Sequence, residues 1–503
     1  MRKPMPAPAF DDLIRRGFDM ELILKSARPL DAKGRYLHWD QLRYTKPLPE
    51  GLDNHEQWWL ATHLARSAHS HELPLHDAGG SPFRFCNVAP VQEAVHHISQ
   101  RAGGHISLEE KRQSTYSGRQ YWAGSLVRES IYSSLFEGAA TTRQKARRLL
   151  QSLDTPRNRS EQMIINNFQA MRHVKKLAAS PKPMTPDAVR ELHGIITEST
   201  LDDKHDAGRV QQEGEERVFI SDVMTGRPVF IPPPAEQLPE RLERLCQWAN
   251  GTADAGFIHP VVRAIVLHFM AAHDHYFVDG NGRLARALFY WSMLREGYWL
   301  AEYISISSIV YRHPKAYLKA YLYSETDNND LTYFILHQLE VIQRAIKDLQ
   351  RYLARKSAEF RAVQRLLRGK EPQFNSRQIR VISDAIRDPL SRFTVRGHAS
   401  TFDVAIQTAR GDLEQFVELD LLVKTTQGKR DFFSPAEDFE ERLSQLPDIK
   451  SSSSGRAKRS NAAAPRTEGG VSVTGNPSGK KRANKGSGKK SGWPSSAGSP
   501  SRS

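Results

Sequence analysis

From Val261 to Ala272 the chain carries only two polar side chains, Arg263 and His268. A helix that is apolar nearly all round has no face to turn to water, so it must lie inside the fold. Pro260 stands just before this run, where a first helical residue tolerates the missing N–H and the fixed φ. Such a helix needs packing partners on every side, and that demands a domain built of many helices. Directly after it comes HDHYFVDGNGRLARALFYW, residues 273–291, which places a histidine, an aspartate, a Gly-Asn-Gly turn and two arginines between apolar runs. Polar groups in such a place are costly unless they have partners.

The partners for the buried helix are legible nearby. Residues 161–176, 186–198, 238–249 and 332–356 show helical spacing of apolar positions. One island differs: RVFISDVMTGRPVFIPPPA, residues 217–235, has two β-prone runs around Thr225 and Gly226, followed by three prolines. That pattern predicts a hairpin and then a rigid extended segment. The expected fold class is mainly α: a helical domain over 106–358 with a β-hairpin flap. Residues 1–105 are aromatic-rich and weakly periodic, and predict a small mixed N-terminal region. Residues 372–440 read as two helices and a hairpin about Gln427 and Gly428, the pattern of a winged helix-turn-helix.

Charge sorts the remaining possibilities. The net charge is +15, but residues 451–503 hold 11 Lys and Arg against one acid, Glu468, so the basic balance belongs mostly to the tail. Rich in Ser, Gly, Lys and Pro, 449–503 cannot bury enough apolar surface to offset ordering, and is expected to be a disordered basic tail. The winged unit carries nine Lys and Arg against eight acids over 372–434, with Arg410 set among Asp412, Glu414, Glu418 and Asp420. Phosphate attraction dominates DNA affinity, so DNA binding is not the favoured reading of this unit. Two cysteines, Cys86 and Cys246, exclude a disulfide framework. No uncharged apolar stretch could span a bilayer, and MRKPMPAPAF lacks a signal-peptide core, so a cytoplasmic protein is expected.

The polar segment reads as chemistry. The buried helix should end near His275 and a new one start near Arg283 and end before Gly297. Asp279, Gly280, Asn281 and Gly282 then form the turn, where Gly and Asn tolerate positive φ. Backbone N–H groups of a Gly-rich turn at a helix N-terminus make an anion cradle. Arg283 and Arg286, three apart, oppose the helix dipole unless a polyanion joins them. Asp279 suits Mg²⁺ as a hard oxygen ligand, and His275 suits a general base at neutral pH. His273 and His275 do not share a helix face, so a histidine metal pair is set aside. Spacing alone leaves bland alternatives open: DGNG is a common turn, a lone buried histidine is usually a satisfied core residue, and paired arginines can serve acids elsewhere.

The run His275, Phe277, Asp279, Gly280, Asn281, Gly282, Arg283, Arg286 resembles the signature of Fic-domain proteins, H-P-F-x-D-G-N-G-R-x-x-R. It departs once, with Tyr276 where the family usually has proline, a position that shapes the turn. The likeness extends over roughly 110–360 and into the winged unit. It implies transfer of AMP from ATP, with Mg²⁺, to a Ser, Thr or Tyr hydroxyl of a target protein. His275 would be the base, Asp279 the metal ligand, Gly280, Asn281 and Gly282 the phosphate cradle, and Arg283 and Arg286 the β- and γ-phosphate clamp. Phe277 would anchor the loop in the core. The hairpin at 217–231 would align the target by strand addition.

YSSLFEGAA, residues 132–140, carries Ser133-x-x-x-Glu137-Gly138. It resembles the family's inhibitory motif on a helix at about 124–138, in which Glu137 pairs with Arg286 and blocks the γ-phosphate. Read alone, the same residues are a helix end with a Gly cap. The resemblance leaves open a homodimer, removal of AMP in place of its transfer, and another nucleotide as donor. A rival from a different class is a DNA-binding regulator with a Fic domain as ligand sensor.

Overall fold

In the computed structural model the structure describes residues 3–102, 125–152, 155–217, 220–221, 228–367, 372–388, 391–427 and 430–447. The basic tail expected at 449–503 lies outside the described residues. Helices dominate, and the described strands form three separate two-stranded antiparallel sheets.

The buried helix is Pro260–Asp274, with proline in its first turn and His275 as its C-cap. Val261, Ala264, Ile265, Val266, Phe269 and Ala271 are wholly buried on it. Its longest partner surface is the next helix, Asn281–Arg295, which is buried from Arg283 through Met293. The second helix begins at Asn281, two residues earlier than the sequence reading placed it, because Gly280 takes the left-handed conformation (φ 85°) and closes the turn sooner. Around this pair stand Arg159–Ala179, Pro186–Thr197, Leu238–Asn250, Pro314–Thr326 and Thr332–Leu366. The last runs ten residues beyond the expected end, since nothing between Lys356 and Leu366 breaks a helix. His268 is a buried core histidine whose Nε2 lies 3.0 Å from the Tyr317 hydroxyl, while its Nδ1 has no hydrogen-bond partner among the described residues. Truncating a fully buried residue here, such as Leu267 to Ala, costs about 2–5 kcal/mol.

The N-terminal region holds short helices, the longer helix His55–Ser67, and a hairpin pairing Ser70–His76 with Pro82–Cys86. The hairpin's Leu73, Leu75, Phe83 and Phe85 enter the same core as the central helix, whereas Trp39, Trp58 and Trp59 form a smaller core with the short helices. The hairpin is therefore a wall of the helical domain and not an appendage.

At 220–230, Ile220 pairs with Phe230 and Ser221 with Pro228, so the two runs expected to form the flap do pair. The turn between them lies outside the described residues. In the C-terminal unit, helices Ser376–Arg387, Val395–Phe402 and Ile406–Glu418 precede an antiparallel pair, Leu422–Gln427 with Arg430–Pro435, over their own apolar core. One more helix is present than the sequence reading separated. No helix among the described residues is long and apolar enough to cross a membrane.

Candidate functional site

The site forms where the central helix stops. His275 has φ 52° and ψ 59°, a left-handed conformation that a non-glycine residue adopts at some cost. Arg217, at the base of the flap, holds it there: its guanidinium donates to the carbonyls of Asp274 (2.7 Å) and His275 (2.9 Å). These are terminal carbonyls that the helix itself leaves unpaired. The chain then turns through Tyr276 and Phe277, both fully buried. The Asn281 amide closes the turn by accepting from the Phe277 N–H (3.0 Å) and donating to the Phe277 carbonyl (2.6 Å). The same amide nitrogen lies 3.1 Å from His275 Nδ1 and 3.4 Å from Nε2, within reach of whichever ring nitrogen is unprotonated. Burial, with the Arg217 charge beside it, pushes the His275 pKa down to about 4, so the ring is neutral at pH 7 and free to accept a proton.

The cradle follows. Asn281, Gly282 and Arg283 make the first turn of the second helix, where N–H groups have no partner within the helix. A Cβ at Gly282 would collide with the Glu137 carboxylate, so a carboxylate already lies against that turn. Glu137 also pairs with Arg286, Oε1 to Nη2 at 2.9 Å. Arg286 is almost completely buried, and its other bonds go to the Ser133 hydroxyl (2.9 Å) and carbonyl (3.2 Å). Burial works against its charge, but Glu137 more than offsets that and its pKa is raised.

The segment that delivers Glu137 is a helix over 125–136. Gly138 takes φ 89° just past it, and its N–H bonds to the Leu135 carbonyl at 3.2 Å. The two readings of SxxxEG thus coexist: it is a Gly-capped helix end, and its glutamate reaches an arginine. Residue 124 lies outside the described residues.

The two arginines do not act together in this state. Arg283 turns to the Ile196 carbonyl (3.2 Å) and to Asp279 (3.5 Å), and burial lowers its pKa. Its Nε is buried with no hydrogen-bond partner among the described residues. An unpaired buried donor beside a helix N-terminus that already faces a carboxylate fits an anion-binding turn. Asp279 is 43% exposed and faces Arg283 and, at 3.6 Å, Arg159. No group of three His, Cys, Asp or Glu able to hold a metal exists among the described residues. A divalent cation at Asp279 would need phosphate oxygens to complete its shell, which suits Mg²⁺ better than an all-protein site.

The site as a whole has a neutral histidine, an anion cradle filled by an internal carboxylate, and a partly open aspartate. The family model described as Fic/DOC family matches residues 183–293, the stretch that contains all of these except the Glu137 segment. Residues 183–293 are a Fic domain. The chain is 25% identical over 207 residues to a protein adenylyltransferase Fic of Nematostella vectensis, covering 38% of this chain and 44% of that one. A protein of the same description in Drosophila virilis is 26% identical over 205 residues, covering 38% and 39%. The chain thus spans about two-fifths of the length of these curated relatives. A solved Fic family protein from Desulfovibrio desulfuricans aligns over 70% of this chain and 98% of that one at 15% identity, with a TM-score of 0.45.

Three contacts around the Fic loop escaped the sequence reading. His193 stacks flat on Phe277, ring centroids 3.7 Å apart. Its Nδ1 accepts from the Gly208 N–H (3.0 Å), so Nε2 carries the proton and donates to the Asp279 carbonyl (2.7 Å). Glu129 is buried on the 125–136 helix and accepts from the Ser305 hydroxyl (2.8 Å), the Ser307 N–H (3.2 Å) and the Ser307 hydroxyl. It caps the helix Ile306–Arg312, where a carboxylate at the N-terminus is favourable. Arg159 bridges Asp279 to Asp202 (3.0 Å). Each is a single ordinary residue far from the motif, with no local pattern to mark it.

Proposed function

We propose that this chain is a protein adenylyltransferase that moves AMP from ATP to a Ser, Thr or Tyr hydroxyl of a target protein, and that Glu137 holds it down. The observation that carries the reading is the Glu137 carboxylate itself, seated against Gly282 and paired with Arg286. A carboxylate in a phosphate-type cradle stands in for the anion the cradle fits.

In this reading neutral His275 takes the proton of the target hydroxyl. The hydroxyl oxygen bonds to the α-phosphorus, the bond from that phosphorus to the bridging oxygen breaks, and diphosphate leaves. N–H groups of the Asn281–Arg283 turn hold phosphate oxygens, Asn281 keeps the His275 ring in place, and Arg283 and Arg286 hold the terminal phosphates. Mg²⁺ bound through Asp279 and the phosphates would neutralise charge on the leaving diphosphate. The flap strand that includes Phe230 offers backbone groups to a target segment. With Glu137 in place, Arg286 is engaged and the terminal phosphate is displaced from its seat.

The test uses Glu137→Gly protein, cell lysate and nucleotides labelled at the α- or γ-phosphate. Protein-bound label from α-labelled ATP alone supports AMP transfer. Label from the γ-position would mean phosphoryl transfer, preference for another base would change the donor, and no label from any nucleotide would contradict the reading.

A further inference from the structure

Tyr276 occupies the position that usually carries proline in the motif this loop resembles. Proline would fix φ there by its ring. This chain fixes the same stretch with a buried polar cluster. The Tyr276 hydroxyl donates to Asp274 Oδ2 at 2.6 Å. Asp274 Oδ1 accepts from Arg241 Nη2 at 2.7 Å and lies 3.1 Å from His273 Nδ1. Tyr276, Asp274 and His273 are buried, and the Arg241 side chain is only 10% exposed. Arg241 donates in addition to the carbonyls of His76 (2.5 Å) and Asp77 (3.2 Å), at the end of the N-terminal hairpin. The Tyr276 carbonyl accepts from the Gln211 N–H at 2.9 Å.

His275 therefore sits between two clamped residues. Asp274 is held through its side chain by Tyr276 and Arg241 and through its carbonyl by Arg217. On the other side Tyr276 is held through its hydroxyl and its carbonyl. The residue between them is in the left-handed region, a conformation that relaxes unless its surroundings over-determine it. A phenol bonded to the side chain of residue 274, from residue 276, staples the backbone across 275.

We propose that Tyr276, acting through Asp274 and Arg241, is a positioning residue for His275. The proposal deepens the reading of His275 as the base and rests on it for the catalytic consequence only. It also gives the N-terminal hairpin a task, since Arg241 anchors the cluster to His76 and Asp77.

The test compares Tyr276→Phe with its parent in full-length Glu137→Gly protein, by two readouts. The first is the ¹⁵N spectrum of the histidine rings, with the His275 signals assigned from a His275→Gln variant. The second is AMP transfer from ATP, resolved into kcat and KM. We expect the His275 ring signals to move while those of His193 stay. We expect kcat to fall about tenfold or more, the scale on which small misplacements act, with KM for ATP within about twofold. Unchanged His275 signals would overturn the proposal, as would a lowered melting temperature with unchanged signals and kcat. If the parent transfers nothing but the His275 signals still move, the positioning stands and the transferase reading falls. Should Tyr276→Phe not fold, Asp274→Asn, which keeps the shape and weakens the acceptor, is read in the same way.

Discussion

The Glu137 carboxylate lies 2.9 Å from the Arg286 guanidinium and against Gly282, so one side chain occupies both the arginine and the N–H turn that a phosphate would need. Nucleotide and Glu137 then compete for the same donors, and competition is measurable as linkage. A ligand that binds only the folded state stabilises it by an amount that grows with the logarithm of its concentration over Kd. A non-hydrolysable ATP analogue with Mg²⁺ should raise the melting temperature of Glu137→Gly by several degrees more than that of the wild type at equal concentration. Equal shifts in the two proteins would mean that Glu137 does not obstruct the nucleotide.

Glu129 fastens the same helix from behind. Among the described residues no cation pairs with its carboxylate, which is held by Ser305, Ser307 and the N-terminus of Ile306–Arg312. Replacing it with alanine leaves those donors unpaired, which costs about 1–3 kcal/mol, and loosens the helix over 125–136. Glu129→Ala should raise AMP transfer several-fold in the wild-type background and change little once Glu137 is already glycine. Rates unaffected in both backgrounds would show that the helix is held by its apolar face alone.

Burial, with Arg217 next, depresses His275 to about 4, well below the ordinary histidine value. The ring therefore stays neutral as pH falls through 6.5. Transfer by the released enzyme should hold nearly level from pH 8 to about 5.5 and drop only below that. Arg217→Gln, by removing the positive neighbour, should move the drop to higher pH. A midpoint near 6.5 in Glu137→Gly protein with Arg217 intact would refute the buried setting of the base.

His193 gives a stability prediction with a definite sign. Its folded pKa lies near 4, pushed down mainly by burial, against 6.5 when unfolded. Between those values the unfolded chain binds more protons, so the contribution is complete above pH 6.5 and lost as pH falls toward 4. His38, His268, His275 and His337 are depressed in the same direction. The melting temperature should fall steadily from pH 6.5 to 4. His193→Phe keeps the stack on Phe277 and drops both hydrogen bonds. It should be less stable at pH 7 by about 1–3 kcal/mol and show a shallower fall. A flat profile in the wild type would contradict the neutral, doubly bonded ring.

What was readable in the sequence divides by range. Val261 to Ala272 announces a buried helix because every face of it is apolar, and the turn after it announces itself by Gly280, Asn281 and Gly282. Those are local signals. The meeting of Glu137 with Arg286 spans about a hundred and fifty residues, and only a short motif pointed to it. Arg217 was visible as part of the flap, but not as the cap of the central helix, because its bonds go to backbone carbonyls that have no sequence signature. His193, Glu129 and Tyr276 work through contacts set by tertiary packing. Of these only Tyr276 carried a trace, as the one departure from the expected pattern. The helix start at Asn281 was misplaced because Gly280 permits a tighter turn than spacing alone suggests.

In the proposed reaction His275 is the base for AMP transfer and Glu137 prevents the transfer. The most direct measurement incubates wild type, Glu137→Gly and Glu137→Gly/His275→Ala with α-³²P-ATP, Mg²⁺ and lysate, and counts protein-bound label. The account expects strong label with Glu137→Gly, at least about tenfold above the wild type, and background in the double variant. Equal label in the first two would remove Glu137 as the inhibitor, and label that survives His275→Ala would remove His275 as the base.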